Sequence, residues 1–254
     1  MNCFADYARY YNLLYKEKDY VGEVQYVHGL IQKYKPGAKT ILNLGCGTGN
    51  HDFEFTKLGY TVTGIDCSAD MLDVANKRQR TEKITLENLN FMQGDIRNVR
   101  LNNAFDVVIS LFHVMSYQTT NDDLHAAFAT AMKHLDVGGL FLFDCWYGPA
   151  VLTDPPAVRV KRFADDAIEV LRIAEPVMHY NENTVDVNLL VLITDIATGG
   201  VKQVKETHRM RYLFMPEITE LAHRNGMERL FVYEWMKLCE PTERSWGALW
   251  GFVK

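Results

Sequence analysis

The most informative stretch of the chain is Ile41-Leu42-Asn43-Leu44-Gly45-Cys46-Gly47-Thr48-Gly49-Asn50, an apolar run that leads into three alternating glycines. The segment Thr40–Leu44 is typical of a buried strand, and helical spacing resumes after the glycines over Asp52–Leu58. Glycine is needed where a backbone turns tightly and where a ligand approaches without meeting a Cβ atom. An ordinary strand-to-helix turn rarely needs three alternating glycines, so the stretch indicates a ligand-binding loop.

The spacing of these glycines distinguishes two kinds of loop. In the dinucleotide fingerprint GxGxxG, a pyrophosphate rests on the N-terminus of the following helix. Here the third glycine, Gly49, comes one residue early, and Asn50 stands where that fingerprint has glycine. The spacing therefore disfavours a nucleotide-binding oxidoreductase, for which bound nicotinamide would be the spectroscopic test.

Strands and helices alternate along about the first 145 residues. This alternation predicts a Rossmann-like doubly wound α/β sheet with helices on both faces. A long helix is expected over residues 4–35, ending at Pro36-Gly37. The further strands are expected at Tyr60–Ile65, Asn90–Gln93, Phe105–Ser110 and Leu140–Asp144, and the further helices at Asp70–Lys77 and Asp122–Leu135.

The pattern changes after the fifth strand. From Val158 to Tyr212 long segments alternate in polarity, including Thr184–Asp195 and Val201–Tyr212, which the turn Thr198-Gly199-Gly200 separates. This alternation predicts an antiparallel β insertion. After the insertion we expect a helix at Pro216–Asn225 and two strands, Glu228–Trp235 and Ala248–Phe252, that form a hairpin on the sheet edge.

Composition and charge bear on the class of protein. The 254 residues carry a formal net charge of -5, which leaves no excess of cations for neutralising nucleic-acid phosphates. No apolar run approaches a membrane span or a secretory signal, so a cytoplasmic enzyme is expected. The five cysteines are scattered, so they form neither a disulfide framework nor a CxxC-type metal site, and we expect reduced thiols.

Carboxylates follow the second and third predicted strands. Asp66 in Gly64-Ile65-Asp66 is placed to accept hydrogen bonds from both hydroxyls of a ribose. Asp95 in Gly94-Asp95-Ile96 is placed to accept from an adenine amino group, with Ile96 or Met92 packed on the ring. Open α/β sheets bind ligands at the carboxyl ends of their strands, so the loop and both acids predict one adenosine site.

With these motifs the chain resembles the class I S-adenosylmethionine-dependent methyltransferases, whose motif I has the GxGxG spacing. Within that family it is similar to the N,N-dimethyltransferases of nucleotide-linked deoxyaminosugars. The similar segments are Tyr11-Asn12-Leu13-Leu14-Tyr15 with Lys18-Asp19-Tyr20 and Glu23, Ser110-Leu111-Phe112 with Ser116-Tyr117, Asp144-Cys145-Trp146-Tyr147-Gly148-Pro149, and Glu206, His208 and Phe214 of the insertion.

The resemblance implies S-adenosylmethionine as cofactor, with its amino-acid part against the glycine loop. The reaction it implies is in-line methyl transfer to a small molecule, most simply the amino group of a nucleotide-linked sugar. The expected cofactor-binding residues are Tyr11, Gly45, Cys46, Gly47, Gly49, Asp66, Cys67, Met71, Asp95, Ile96 and Leu111.

The resemblance also implies an acceptor site. In the sugar enzymes the second tyrosine of an opening YxxxY motif lies in the active site, and that position is Tyr15 here. A second active-site position, often histidine in relatives, is Tyr117. His113 and His208 are candidate bases for an amine acceptor. The residues expected to contact the acceptor are Tyr15, Trp146, Tyr147 and Arg244, the last near the place where relatives hold the nucleotide phosphate.

Each of these side chains has a purely structural alternative. His113 would instead turn towards the helix behind the sheet, and His208 would face solvent or a partner subunit. Trp146 and Tyr147 would instead plug the core. The tyrosines at helical spacing, Tyr7, Tyr10, Tyr11 and Tyr15, pack together by default, whereas the resemblance favours a lid over the cofactor.

The sequence patterns and the resemblance together suggest a division of the chain, and two alternative functions remain. The chain would comprise a helical lid (1–36), a cofactor-binding core (37–150), the β insertion (151–213) and a C-terminal helix with strands that complete the core (214–254). The alternatives are a methyltransferase for another small amine or hydroxyl acceptor and a non-catalytic module that binds S-adenosylmethionine. The inserted strands are compatible with a homodimer contact and with an acceptor pocket.

Overall fold

The computed structural model describes residue 11 and residues 13–254, and the structural statements below concern these residues. The strands run in chain order as β1 (Thr40–Leu44), β2 (Thr61–Asp66), β3 (Leu89–Gln93), β4 (Phe105–Ser110), β5 (Leu135–Trp146), β6 (Arg159–Ala164), β7 (Ile168–His179), β8 (Thr184–Asp195), β9 (Val201–Arg211), β10 (Glu228–Glu234) and β11 (Gly247–Val253). The helices are α1 (Tyr20–Tyr34), α2 (Asn50–Lys57), α3 (Ala69–Glu82), α4 (Asn121–His134), α5 (Gly148–Thr153) and α6 (Met215–Arg224).

A seven-stranded sheet forms the centre, in the order β10-β11-β5-β4-β1-β2-β3. Strands β1 to β5 pair in parallel, and β11 pairs antiparallel with both β5 and β10. The predicted Rossmann-like α/β class and the predicted hairpin at the sheet edge are therefore confirmed. The strand order reverses between β1 and β4, and ligands of such sheets bind at the carboxyl ends beside this switch point.

Helices cover both faces of the central sheet because its strands are apolar on both sides. On one face, Val27 and Leu30 of α1 join Ile41 and Phe53 in a buried cluster. On the other face, α4 and α6 bury Phe128, Leu124, Ile218 and Leu221 against β4, β5 and β11. Burial of a leucine or phenylalanine side chain contributes about 1.5 to 3 kcal/mol to the stability of the fold. The two helical layers therefore stabilise the central sheet.

The N-terminal segment departs from the predicted helix. Tyr11 and residues 13–14 are helical, residues 15–17 form a turn, and α1 starts afresh at Tyr20. The break occurs because the Asp19 carboxylate accepts from the backbone N–H of Gly22 at 2.8 Å, which caps a new helix. Helix α1 packs into the core, so the prediction of one helix over 4–35 is wrong there. Residues 4–10 and 12 lie outside the described residues.

Three further elements differ from prediction. Helix α3 continues to Glu82, five residues beyond the expected end, because the buried Gln79 amide donates to the Leu89 carbonyl at 2.5 Å. Strand β5 begins at Leu135 and not at Leu140, since Leu135 already pairs with Phe105. Helix α5 was not predicted, although Pro149 stands in its first turn.

The inserted segment forms a separate four-stranded antiparallel sheet in the order β6-β7-β8-β9. One face buries Leu189, Val191 and Val204 in a cluster that also contains Leu14 and Met71. The inserted sheet therefore packs over the carboxyl ends of the central strands. The boundaries proposed at residues 36, 150 and 213 stay a prediction.

The described cysteines are free thiols, with Cys46 and Cys145 buried and Cys67 and Cys239 exposed. Cys3 lies outside the described residues. None of the described helices is both long enough and apolar enough to cross a membrane. The cytoplasmic location stays a prediction.

Candidate active site

A cavity of about 790 Å³ opens between the carboxyl edge of the central sheet and the inserted sheet. Its lining includes Gly47 and Asp66 from the central sheet and Leu189 and His208 from the insertion. Small-molecule sites have volumes of about 300 to 1,000 Å³, and this one is at the upper end. Most of the predicted cofactor and acceptor residues therefore border one cavity.

The glycine loop is tied to β2 and open towards the cavity. The backbone N–H groups of Gly45 and Cys46 both donate to the Ile65 carbonyl, at 2.8 and 2.9 Å. A Cβ atom on Gly45 would lie 2.5 Å from Val114 Cγ1. Gly47 has a φ of +57°, and a Cβ atom there would meet no protein atom within 4 Å. Because Gly47 lines the cavity, that Cβ would occupy ligand space.

Gly49 has a structural role in the loop. It caps α2 with a φ of +77°, and a Cβ atom there would lie 2.5 Å from the Phe91 ring. It does not line the cavity. The third glycine therefore packs the loop against β3, and its predicted contact with the cofactor stays a prediction.

The Asp66 carboxylate lies at the end of β2 and faces the loop. Its Oδ2 atom accepts from the backbone N–H of Gly47 at 2.8 Å, and Oδ1 accepts from that of Ser68 at 2.9 Å. Desolvation raises the pKa of Asp66, although these hydrogen bonds oppose the shift. Each carboxylate oxygen keeps a further lone pair. Asp66 can therefore orient the loop and still accept from a ribose.

Asp95 is held by an arginine that was not predicted as a site residue. The Arg97 Nε atom donates to both Asp95 oxygens, at 2.9 and 3.0 Å, while Arg97 Nη1 reaches Asp123 at 2.8 Å. These bonds lower the pKa of Asp95 and keep the carboxylate charged. Asp95, Ile96 and Arg97 line the cavity, whereas Met92 does not. The arginine is visible in the sequence two residues after Asp95.

The residues at this end of the cavity fit S-adenosylmethionine. Gly47 leaves space for a ligand against the backbone, Asp66 supplies a carboxylate for ribose hydroxyls, and Ile96 offers an apolar surface for a base. The remaining predicted cofactor residues that line the cavity are Tyr11, Gly45, Cys46, Cys67, Met71, Asp95 and Leu111.

A buried ionic cluster stands behind the glycine loop. Glu23 of α1 accepts from His51 Nε2 at 2.7 Å and pairs with the Lys18 ammonium. Burial opposes ionisation of Glu23, but His51 and Lys18 outweigh it and lower the pKa of that carboxyl. Tyr20 packs on the His51 ring with centroids 4.9 Å apart, and both line the cavity. The cluster fixes α1 beside the loop.

Aromatic rings line the part of the cavity between the end at Asp66 and the end at His208. The Tyr15 ring lies 4.8 Å from that of Tyr11 and 5.0 Å from that of Phe112. On the other side, Trp146 lies 5.5 Å from Trp246. All five line the cavity, so Trp146 forms part of its wall. These rings give this part of the cavity an apolar surface.

His113 follows β4 and faces the cavity rather than the helix behind the sheet. His113 and Phe112 both have left-handed backbones, with φ of 63° and 68°, a conformation that non-glycine residues rarely adopt. The buried Asp144 holds them, because its Oδ1 accepts from the His113 backbone N–H at 3.1 Å and Oδ2 lies 2.7 Å from Nδ1. Burial opposes ionisation of Asp144, but His113 outweighs it and lowers the pKa.

A second histidine belongs to a hydrogen-bonded chain. The Tyr117 hydroxyl lies 2.9 Å from His208 Nδ1, and His208 Nε2 lies 3.1 Å from Glu206 Oε2. His208 is 5% exposed, so it does not face solvent. Glu206 was not predicted as a site residue. Its position two residues before His208 on one strand was the available signal, because alternate residues share a face.

Two predicted acceptor residues lie elsewhere. Tyr147 is buried in the core beside Leu213 and does not line the cavity. The Arg244 side chain is 88% exposed, because a turn in which the Thr242 N–H donates to Ser245 Oγ directs it outwards. Both assignments are corrected. Arg159 and Arg172 of the insertion line the cavity, and neither was predicted from the sequence.

Comparison with known proteins identifies relatives of this arrangement. A family model described as a methyltransferase domain matches residues 41–139. The chain is 33% identical over 208 residues, 80% of this chain and 82% of the relative, to the dTDP-3-amino-3,4,6-trideoxy-alpha-D-glucopyranose N,N-dimethyltransferase of Streptomyces venezuelae. It is 29% identical over 224 residues, 86% of this chain and 83% of the relative, to the dTDP-3-amino-3,6-dideoxy-alpha-D-glucopyranose N,N-dimethyltransferase of Streptomyces fradiae.

A solved structure is similar over nearly the whole chain. The crystal structure of Streptomyces venezuelae DesVI matches with a TM-score of 0.81 at 26% sequence identity, covering 98% of both chains. The likeness therefore extends well beyond the glycine loop.

Proposed function

The chain belongs to the class I S-adenosylmethionine-dependent methyltransferases, and we propose that its acceptor is the amino group of a nucleotide-linked deoxysugar. The observation that carries the proposal is the continuity of the cavity. One end of the cavity is lined by Gly47 and Asp66, and it is continuous with the other end, which is lined by Tyr117 and His208. The relatives from both Streptomyces species, whose names specify dTDP-linked aminosugars, support this acceptor class.

S-adenosylmethionine supplies an electrophilic methyl group on a sulfonium centre. The protein has to align the acceptor nitrogen with that group and exclude water. Tyr15, Phe112 and Trp146 wall the passage between the two ends of the cavity. Alignment of reactants can contribute about 7 to 11 kcal/mol through effective molarity, so we assign the larger part of the rate enhancement to it.

The second requirement is an uncharged amine, because an ammonium group has no lone pair to attack with. The Glu206 carboxylate is an acceptor, so His208 donates to it from Nε2 and keeps Nδ1 as an acceptor. The Tyr117 hydroxyl then donates to Nδ1, and its oxygen can accept a hydrogen bond from the N–H of the methyl acceptor. A proton leaving the amine can therefore pass through Tyr117 to His208, where Glu206 stabilises the imidazolium.

His113 has a positioning role in this scheme. Its contact with the ionised Asp144 holds the left-handed segment after β4, and that segment presents Phe112 to the Tyr15 ring. His113 thereby shapes the wall between the two ends of the cavity.

The test is formation of S-adenosylhomocysteine with a panel of nucleotide-linked 3-amino and 4-amino deoxysugars. Free amino acids and simple amines serve as controls. We expect turnover on at least one aminosugar and not on the controls. Turnover only on a control amine would contradict the acceptor assignment. Tight binding of S-adenosylmethionine without turnover on any amine or hydroxyl acceptor would instead identify a non-catalytic module.

The outer face of the inserted sheet supports a further proposal, a homodimer. The side chains at its centre are apolar and only half-buried, namely Leu171, Ile173, Leu190 and Leu192. Charges of both signs surround them, including Glu169, Glu175 and Lys205. A two-fold interface needs such a self-complementary patch. Light scattering should give twice the mass of one chain, and the mass of a single chain would contradict this proposal.

A further inference from the structure

Two arginines of the inserted sheet border the cavity on the same face. In the pairing of β6 with β7, Arg159 lies opposite Ala174 and Arg172 lies opposite Lys161. Opposite residues share a face, as do residues two apart on one strand, so Arg159 and Arg172 are diagonal neighbours. Both line the cavity. Their guanidinium groups can therefore reach the same ligand.

No carboxylate in the described part of the chain lies within 4.0 Å of either guanidinium. Other arginines do have such partners, as when Arg97 pairs with Asp95 and Asp123, or Arg211 with Glu217. Arg172 is half-buried, with its guanidinium 6.0 Å from the Phe163 ring. A cation at such a position loses hydration without gaining an opposite charge. An anionic ligand would supply that charge.

The register of the sheet places these arginines at a distance from the reacting centre. His208 on β9 aligns with Val187 on β8, and Val187 aligns with Pro176 on β7. Arg172 is four residues away from Pro176, about 13 Å along the strand. The cavity surface between them is apolar, formed by Ala174 and Leu189. An acceptor that bridges this distance carries its anionic group at the end remote from its amine.

We propose that Arg159 and Arg172 bind the diphosphate of the acceptor, an inference that rests on the function proposed above. Planar guanidinium groups bind phosphate oxygens through paired N–H donors, and two of them match the charge of a diphosphate. The arginine predicted to lie against the phosphate, Arg244, is directed out of the cavity. In this chain the inserted sheet takes over that task.

The test is calorimetric titration with thymidine diphosphate and inorganic pyrophosphate in the presence of S-adenosylhomocysteine. The variants are Arg159→Ala with Arg172→Ala, singly and together. The matched control is Arg162→Ala, since Arg162 lies on the same strand but one residue from Lys161 and hence on the opposite face. Affinity for S-adenosylhomocysteine and the melting temperature serve as measures of folding.

We expect the double variant to lose tenfold or more in diphosphate affinity while its affinity for S-adenosylhomocysteine changes by less than about twofold. Each fold-change of ten corresponds to about 1.4 kcal/mol. The Arg162→Ala variant should match the wild type. Unchanged diphosphate affinity in the double variant, or no diphosphate binding by the wild type, would overturn the proposal.

Turnover separates this inference from the proposed function. With a nucleotide-linked aminosugar as acceptor, the double variant should raise KM tenfold or more and retain kcat. If the wild type methylates the aminosugar and KM is unchanged in the variant, the arginine assignment is overturned and the function stands. If diphosphate binds through the arginines but no aminosugar is methylated, the anion site is supported and the acceptor assignment fails.

Discussion

At the residue scale, the hydrogen bond between Tyr117 and His208 shows which imidazole lies beside the predicted acceptor site. The position of Tyr117 is often histidine in the sugar enzymes that the chain resembles, and the sequence offers His208 as a candidate base without showing that the two side chains meet. In the structure the imidazole comes from β9, 2.9 Å from the Tyr117 hydroxyl. A contact between side chains 91 positions apart cannot be derived from one sequence without the register of the insertion.

We predict that Tyr117→Phe lowers kcat about 100-fold at neutral pH, because the amine loses its first proton acceptor. Affinity for S-adenosylhomocysteine should change by less than about twofold. Since the amine also loses its proton to solvent at high pH, the deficit in kcat should shrink as pH rises. A pH–rate profile with a deficit of equal size at every pH would contradict the proton path.

Asp66 carries the cofactor assignment at the same scale. The Asp66→Asn variant should weaken S-adenosylhomocysteine binding about 10- to 100-fold in calorimetry, because a charged acceptor contributes roughly 1.5 to 3 kcal/mol. The matched control is Asp73→Asn, an exposed carboxylate on α3 that does not line the cavity. Equal affinities in the wild type and Asp66→Asn would contradict the ribose assignment.

At the element scale, the glycine loop is where sequence and structure agree best. Strand β1 and the turn after it were predictable because a buried apolar run that ends in alternating glycines is typical of a strand followed by a tight turn. Long-range contacts set the boundaries that prediction missed. Strand β5 begins early through pairing with Phe105, and α3 ends late through the bond from Gln79 to Leu89.

We predict that Gly47→Ala and Gly59→Ala cost similar stability but differ in binding. Both glycines have a positive φ, of +57° and +87°, and both have open space where a Cβ would stand. Each variant should lose about 1 to 2 kcal/mol in chemical unfolding because of the left-handed backbone. Only Gly47 faces the cavity, so only Gly47→Ala should weaken S-adenosylhomocysteine binding. Weakened binding in both would indicate a general loosening of the fold.

The roles of single site residues were harder to predict than the elements that carry them. Cavity-lining residues such as Tyr15, His113 and Trp146 were named from the sequence, whereas Tyr147 and Arg244 were placed wrongly. Neighbouring residues on a strand point to opposite faces, so Trp146 and Tyr147 cannot both line the cavity from one extended segment.

At the scale of the whole molecule, a buried acid couples stability to pH. Asp52 of α2 accepts from the Asn43 amide at 2.9 Å through Oδ2, while its Oδ1 atom is buried without a hydrogen-bond partner among the described residues. Burial raises the pKa of Asp52 to about 7. The folded protein therefore holds a proton that the unfolded chain releases near pH 4.

The sign of this coupling follows from proton binding. Between about pH 4 and 7 the folded state binds more protons, so the contribution of Asp52 to stability is present at low pH and is lost as pH rises. The Asp52→Asn variant has no such proton. Its free energy of unfolding relative to the wild type should rise by about 1.4 kcal/mol for each pH unit in this window. Urea unfolding at several pH values measures it, and a difference independent of pH would contradict the assignment.

The fold class was predictable because segments with the apolar period of a strand alternate regularly with segments that have the period of a helix. The inserted sheet was predictable because the apolar period changes to two residues there. The meeting of both sheets over one cavity was not, since no local pattern specifies how two sheets are oriented. The packing of the two sheets over one cavity connects the cavity end at Asp66 with the end at Tyr117. The central claim of methyl transfer to an aminosugar depends on it.

The most direct test of that claim is the mass and NMR spectrum of the product after incubation with S-adenosylmethionine and a nucleotide-linked aminosugar. We predict that one or two methyl groups are added and that their carbons are bonded to the sugar nitrogen. A methyl group on a sugar oxygen, or an unmodified aminosugar recovered from an enzyme that methylates another amine, would contradict it.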